Sequence, residues 1–231
     1  MHIESKHWRQ YLIRGAEEMG LTLSDEAAAS MALHARELLI WNRRTNLTRL
    51  TDPERIAEKH YLDSILPMRW ISDTARILDV GSGGGFPGIP LKIVIPFSSV
   101  LLVDGARKKV TFMNHVLRIL QLDNIHARHM RAESMDRQAV DCPPGGFTVI
   151  ISRALTSLER FVSMALPLLA DDGMIIALKG RGQRVEADLS ALIQQLSPET
   201  LERLPSIRTA RYRLPYSGAE RSIIMFDRQQ Q

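Results

Sequence analysis

Apolar positions follow one period in the first third of the chain and another beyond it. Through residue 72 they recur every three to four residues, as on helix faces. Ala28, Met31, Ala32, Ala35, Leu38 and Leu39 share one stripe, behind Ser24 as a cap with Asp25 and Glu26 in the first turn, where acids suit the positive end of a helix. From Arg76 onward, short β-branched and apolar runs alternate with helical stretches, the pattern of βαβ units around a parallel sheet. The predicted strands are Ile77 to Val80, Val100 to Val103, Asn124 to Met130, Phe147 to Ser152 and Met174 to Lys179, with helices over Lys108 to Leu120 and Leu155 to Leu169. Two further strand candidates, Arg208 to Leu214 and Ser222 to Phe226, close the sheet as an antiparallel edge pair. The expected architecture is a doubly wound, Rossmann-like α/β fold with a seven-stranded, mostly parallel sheet over residues 73–231, and a helical extension over 1–72 packed on it.

Between the two halves, Asp52 caps a helix that begins at Pro53 and runs to about Leu66. Ile56, Ala57, Ile65 and Leu66 supply its buried face, while His60, Asp63 and Ser64 stand at i, i+3 and i+4 and share another. On residue types alone that second face is solvated, with an exposed Lys59 to Asp63 pair.

Candidate chemistry concentrates where the first strand ends, in Arg76 to Pro90, RILDVGSGGGFPGIP. Asp79 precedes Gly81, Gly83 and Gly85 at alternate positions, so the backbone can take positive φ and approach a ligand where a Cβ would collide. A dinucleotide turn wants G-x-G-x-x-G directly after the strand. Counted from Gly81 its third glycine falls on Phe86, and the version built on Gly83, Gly85 and Gly88 begins two residues late. The pattern D-x-G-x-G-x-G is met in full and resembles the first motif of S-adenosylmethionine-dependent methyltransferases. A carboxylate there attracts a ligand carrying an ammonium and a sulfonium and repels a pyrophosphate. Asp104, at the end of the second strand, stands where an acid commonly takes ribose hydroxyls.

Composition narrows the picture only modestly. The 231 residues are 45% hydrophobic, ample for a core, and the single cysteine, Cys142, excludes an intramolecular disulfide framework and a multi-cysteine zinc site. No metal is expected. The first ten residues contain no apolar signal region, and the apolar stretch from Phe161 to Leu178 is broken by Pro167, Asp171 and Asp172. A cytoplasmic protein that does not enter a membrane is expected. A net charge of +4 permits a polyanionic partner without requiring one.

Several short stretches together resemble the small-subunit (16S) ribosomal RNA methyltransferase G family, also called glucose-inhibited division protein B. They are NLT at Asn46 to Thr48, KHYLDS at Lys59 to Ser64, DVGSGGGFPGIPL at Asp79 to Leu91, RAE at Arg131 to Glu133, SRA at Ser152 to Ala154, and KG at Lys179 and Gly180. The resemblance covers nearly the whole chain and implies the class I methyltransferase fold, S-adenosylmethionine as cofactor and 16S rRNA or the small subunit as partner, with a monomer expected. It implies cofactor contacts at Gly81, Phe86, Ala132, Glu133 and Arg153 beside Asp79, Gly83, Gly85 and Asp104, and a substrate side lined by Asn46, Lys59, His60 and Asp63. Arg153 and His60 are the residues it assigns to the catalytic centre. Lys179, Arg181 and Arg184 border a basic glycine loop suited to RNA phosphates. Two departures stand out: the family usually has arginine where Lys59 stands, and serine where this chain has Gly105.

The family's reaction methylates N7 of a guanine, guanine 527 in standard rRNA numbering. N7 offers a lone pair without prior deprotonation, so no general base is required and positioning dominates. Two other functions fit the glycine turn less well: a nicotinamide-dependent oxidoreductase, and a non-catalytic rRNA-binding module that retains a cofactor pocket.

Overall fold

The computed structural model describes residues 2–138, 140–153, 157–180, 185–195 and 206–227. It opens with two helices packed on each other, α1 (Lys6–Glu18) and α2 (Asp25–Thr45), each started by a serine. Ser5 Oγ accepts from Trp8 N and Ser24 Oγ from Ala27 N. The fully buried Trp8 indole donates to Pro53 O at 2.8 Å, tying α1 to the segment that follows. That segment starts as α3 (Pro53–Ile56) under an Asp52 cap, widens into a π-helical stretch, Ala57–Leu62, narrows to α4 (Asp63–Ile65), and ends in a 3-10 turn, Leu66–Trp70.

The remainder is a seven-stranded sheet in the order β3-β2-β1-β4-β5-β7-β6. Strands β1 (Arg76–Val80), β2 (Ser99–Asp104), β3 (Ile125–His129), β4 (Phe147–Ser152) and β5 (Leu169–Lys179) pair in parallel. β6 (Ser206–Arg213) and β7 (Glu220–Asp227) form an antiparallel hairpin, with β7 laid against β5. Helices α5 (Gly88–Val94), α6 (Arg107–Leu120), α7 (Leu158–Ala165) and α8 (Val185–Gln195) complete the chain. One sheet face shares a continuous core with α1, α2 and the 53–66 segment, through residues such as Leu38, Tyr61, Ile77 and Phe112. The other packs Leu78, Ile150 and Ile175 against Phe161 and Leu192. Buried β-branched runs in the central strands follow from helices covering both faces.

One expected boundary shifts. Strand β5 begins at Leu169, inside the stretch expected to be helix, because Pro167 closes α7 through a 3-10 turn and Leu169 then pairs with Phe147. The expected helix start at Leu155 lies outside the described residues.

Candidate functional site

The parallel strands β1, β2 and β4 end at Val80, Asp104 and Ser152, so the loops after them share one edge of the sheet. The turn after β1 is held from beneath: Gly81 N and Ser82 N donate to Val103 O, and Ser82 Oγ donates to Asp79 O. Gly81, Gly83 and Gly85 all have positive φ. Their surroundings differ, however. A Cβ on Gly81 would meet nothing within 4 Å and one on Gly83 only Gly81 O at 3.9 Å, whereas on Gly85 it would lie 2.3 Å from Ile89 Cδ1. The first two glycines therefore border open space, and the third lets the turn close on α5. Gly88 lets α5 approach the sheet, since a Cβ there would sit 2.3 Å from Leu102 Cδ2.

Asp79 is fully buried under this turn. Its Oδ2 accepts from Gly88 N at 2.8 Å, while Oδ1 has no hydrogen-bond partner among the described residues. Burial pushes the carboxyl up to about 7, against the pull of the Gly88 hydrogen bond, of the neighbouring Ser82 hydroxyl and of the Arg153 charge. The α5 N–H that a pyrophosphate would use is thus taken by a carboxylate, and the spare oxygen suits a cation. Asp104 is also buried. Its Oδ2 accepts from Gly83 N at 3.0 Å and lies 3.4 Å from Lys109 Nζ, and its Oδ1 accepts from Ala106 N at 2.8 Å. Ala132 is buried in the 3-10 turn after β3 and Glu133 is exposed beside it. A spare buried oxygen, open space at two glycines and an acid at the second strand end fit S-adenosylmethionine.

A second wall is aromatic and cationic. The Phe86 ring stacks with His60 at 4.5 Å and His34 at 5.0 Å, and the Arg153 guanidinium lies 5.1 Å from its centroid. Arg153 donates to Lys59 O at 3.1 Å, Ser64 Oγ at 3.4 Å and His60 Nδ1 at 3.0 Å. A guanidinium only donates, so Nδ1 accepts and the His60 proton sits on Nε2, which donates to Thr48 Oγ1 at 2.7 Å. Burial and the neighbouring Arg153 charge hold His60 neutral, its pKa lowered to about 3. His34, lowered to about 4 by burial, pairs through Nε2 with Gly84 O at 2.9 Å and so supports the glycine turn from below.

The face expected to be solvated is instead interior: His60, Asp63 and Ser64 are all buried. The expected Lys59 to Asp63 pair is absent. Asp63 Oδ1 accepts from the Tyr212 hydroxyl at 2.6 Å, and its Oδ2 lies 3.5 Å from Arg221 Nε. Glu58 Oε1 accepts from Tyr216 N and Ser217 N at 2.9 and 2.6 Å. The final hairpin and its turn thus clamp the segment from one side and Arg153 from the other. Lys59 stays partly exposed, and exposed Asn46 ends α2 with φ of 50°. Lys179 is buried at the end of β5, 3.0 Å from Asp188 Oδ2, and Arg181 and Arg184 lie outside the described residues. Local pattern did not single out His34 or Tyr212, because each acts through partners distant in sequence.

Among the described residues no group of three or more His, Cys, Asp or Glu is placed to hold a metal ion, and no helix is long and apolar enough to cross a membrane. Residues 27–212 match the family model described as rRNA small subunit methyltransferase G. The ribosomal RNA small subunit methyltransferase G of Geobacter sulfurreducens is 40% identical over 214 residues, 92% of this chain and 94% of that protein. The ribosomal protein L11 methylase of Lactobacillus delbrueckii superposes with a TM-score of 0.55 at 18% identity, over 74% of this chain and 80% of that one. The 1,6-didemethyltoxoflavin-N1-methyltransferase of Burkholderia thailandensis, solved with S-adenosylhomocysteine, superposes with a TM-score of 0.52 at 12% identity, over 73% and 77%.

Proposed function

Because the chain belongs to the rRNA small subunit methyltransferase G family, we propose that it methylates N7 of a guanine in 16S rRNA from S-adenosylmethionine, at the edge formed by the ends of β1, β2 and β4. When bound, the cofactor supplies a sulfonium methyl: the N7 lone pair forms the new C–N bond as the C–S bond breaks and its electron pair returns to sulfur. The observation that carries this reading is the buried Asp79, with one oxygen spare beneath a turn that is open at Gly81 and Gly83.

Asp79 Oδ1 would hold the ammonium of the cofactor, which would supply the missing buried partner. A carboxylate has about four acceptor sites, and three of those on Asp104 are used, so a ribose hydroxyl takes the fourth or displaces Lys109, the longest contact. Ala132 and Glu133, in the 3-10 turn after β3, are the residues that would hold the adenine. Arg153, whose hydrogen bonds run to Lys59 O, Ser64 Oγ and His60 Nδ1, is a positioning residue. It fixes His60 as a neutral ring whose face lies on Phe86, and so sets the wall against which the target base is placed. Lys59, left free of ion pairs among the described residues, is available to RNA phosphate. Lys179 directly precedes the basic stretch of sequence that holds Arg181 and Arg184.

Incubation with tritiated S-adenosylmethionine and small subunits from cells lacking the enzyme should label 16S rRNA at one guanine N7, located by mapping the modified base. No transfer, with RNA still bound, would favour a non-catalytic module. Calorimetric binding of NAD in preference to S-adenosylmethionine would end the methyltransferase reading.

A further inference from the structure

Thr48 sits on the connection between α2 and α3, partly exposed, and its hydroxyl is committed in an unusual way. Oγ1 receives the Nε2–H of His60 at 2.7 Å and the backbone N–H of Leu50 at 3.0 Å. The direction of the first bond is not free, because Arg153 donates to the other ring nitrogen and leaves Nε2 as the protonated one. Both lone pairs of the hydroxyl are therefore filled. What remains is its own proton, and among the described residues no acceptor takes it. The result is a hydroxyl that donates and cannot accept, held at a fixed position by a chain from Arg153 through His60.

We propose that Thr48 selects guanine at this site by donating its hydroxyl proton to O6 of the target base. The inference rests on the guanine-N7 reading above. Guanine presents N7 and O6 side by side as two acceptors, and adenine places an N6 amino donor where O6 would be. A hydroxyl that can only donate accepts the first edge and opposes the second. On its other side the loop is tied to the end of α2, since Asn42 holds it through both Thr48 backbone groups: Asn42 Nδ2 donates to Thr48 O at 2.9 Å and Thr48 N donates to Asn42 Oδ1 at 2.8 Å. A donor fixed on both sides discriminates better than a mobile one, because no rotation lets it turn a lone pair toward an amino group.

The test uses small subunits reconstituted with rRNA that carries either guanine or 2,6-diaminopurine at the methylated position. The analogue keeps N7 and the 2-amino group, exchanges O6 for an amino group and turns N1 from a donor into an acceptor; the comparison of Thr48 variants on the same two substrates isolates the part read by Thr48. The unaltered protein should prefer guanine by roughly 10- to 100-fold in kcat/KM, the scale of one well-placed base contact. Thr48→Val should bring the two substrates within about threefold of each other, Thr48→Ser should retain the preference, and calorimetric affinity for S-adenosylmethionine should be the same in all three proteins. If Thr48 merely supports His60, Thr48→Val lowers both rates equally and leaves their ratio untouched, which overturns the proposal. A wild-type protein that methylates both bases equally well overturns it too. Absence of any transfer to guanine-bearing subunits would instead defeat the methyltransferase reading itself, so the two failures are distinguishable.

Discussion

Asp79→Asn offers the most direct probe of whether the site recognises a cation. In the free protein the carboxyl is raised from 3.8 to about 7, chiefly because burial disfavours its charge. Three pKa units correspond to about 4 kcal/mol by linkage, an upper figure for a buried group. The sign follows from proton counts. Between about pH 4 and 7 the folded protein holds a proton that the unfolded chain has released, so this residue's contribution to stability falls as pH rises through that window and is constant above it. A ligand ammonium at Oδ1 reverses the preference by favouring the carboxylate. Binding of S-adenosylmethionine should then expel close to one proton at pH 6, and its affinity should rise by about tenfold per pH unit up to about 7. Above about pH 8 the ligand's own amino group loses its proton and the trend ends. Calorimetry in two buffers of different ionisation enthalpy measures the proton directly. Asp79→Asn should abolish both the proton release and the slope, weaken binding at pH 7.5, and make the free protein's stability rise more steeply with pH between pH 4 and 7. Binding that is independent of pH in the unaltered protein, or equal in the variant, would refute a carboxylate–ammonium contact.

Three further substitutions separate ligand space, packing and surface. Gly83→Ala places a Cβ in open space at positive φ, so it should cost about 1 to 2 kcal/mol of stability by urea unfolding and yet prevent cofactor binding, whereas Gly88→Ala drives a Cβ into Leu102 and Asp79 and should cost more stability than Gly83→Ala. His34 and His60 are held neutral with pKa values lowered to about 4 and 3, so the stability they carry is present above the unfolded value of 6.5 and is lost as pH falls. His34→Gln should therefore reduce by one proton the acid destabilisation measured between pH 4 and 6.5, and an unchanged acid limb would contradict a neutral His34. Lys59→Ala should lower the salt slope of RNA binding by about one while shifting stability by less than about 1 kcal/mol, and an unchanged slope would remove Lys59 from the RNA interface.

The fold was largely legible because its signals are local. Strand β4 runs from Phe147 to Ser152 as its apolar run predicts, and Ser24, Asp52 and Pro53 start helices as their chemistry requires. The glycine turn was legible for the same reason, since φ and close approach are properties of single residues. Burial of the Lys59 to Ser64 face was not. Periodicity reports which residues share a side of a helix, but not whether another part of the chain supplies partners for a polar side. Here Asp63 meets Tyr212 and Arg221, Glu58 meets the backbone after Pro215, and His60 meets Thr48 and Arg153, all but Thr48 about ninety or more positions away. The π-helical stretch adds to the difficulty, because its wider turn breaks the i, i+3, i+4 rule used to assign faces. The family resemblance pointed to the same residues without showing why they are polar.

Those long-range partners also explain how a charged and polar helix segment can be interior. Each buried acid on it is met by donors: Glu58 by two backbone N–H groups, Asp63 by a phenol and a guanidinium. Tyr212 is correspondingly pushed well above the usual phenol range, by burial first and then by the Asp63 charge it faces, so it remains a donor at any pH the fold survives. The hairpin of β6 and β7 is therefore more than an edge to the sheet. By satisfying Glu58 and Asp63 it makes it possible for the intervening Lys59 and His60 to be held beside the edge where β1, β2 and β4 end, with the ring of His60 on Phe86 and its nitrogens between Arg153 and Thr48. A segment with those acids unmet would turn them to water, and the turn that carries His60 away from Phe86 would go with them.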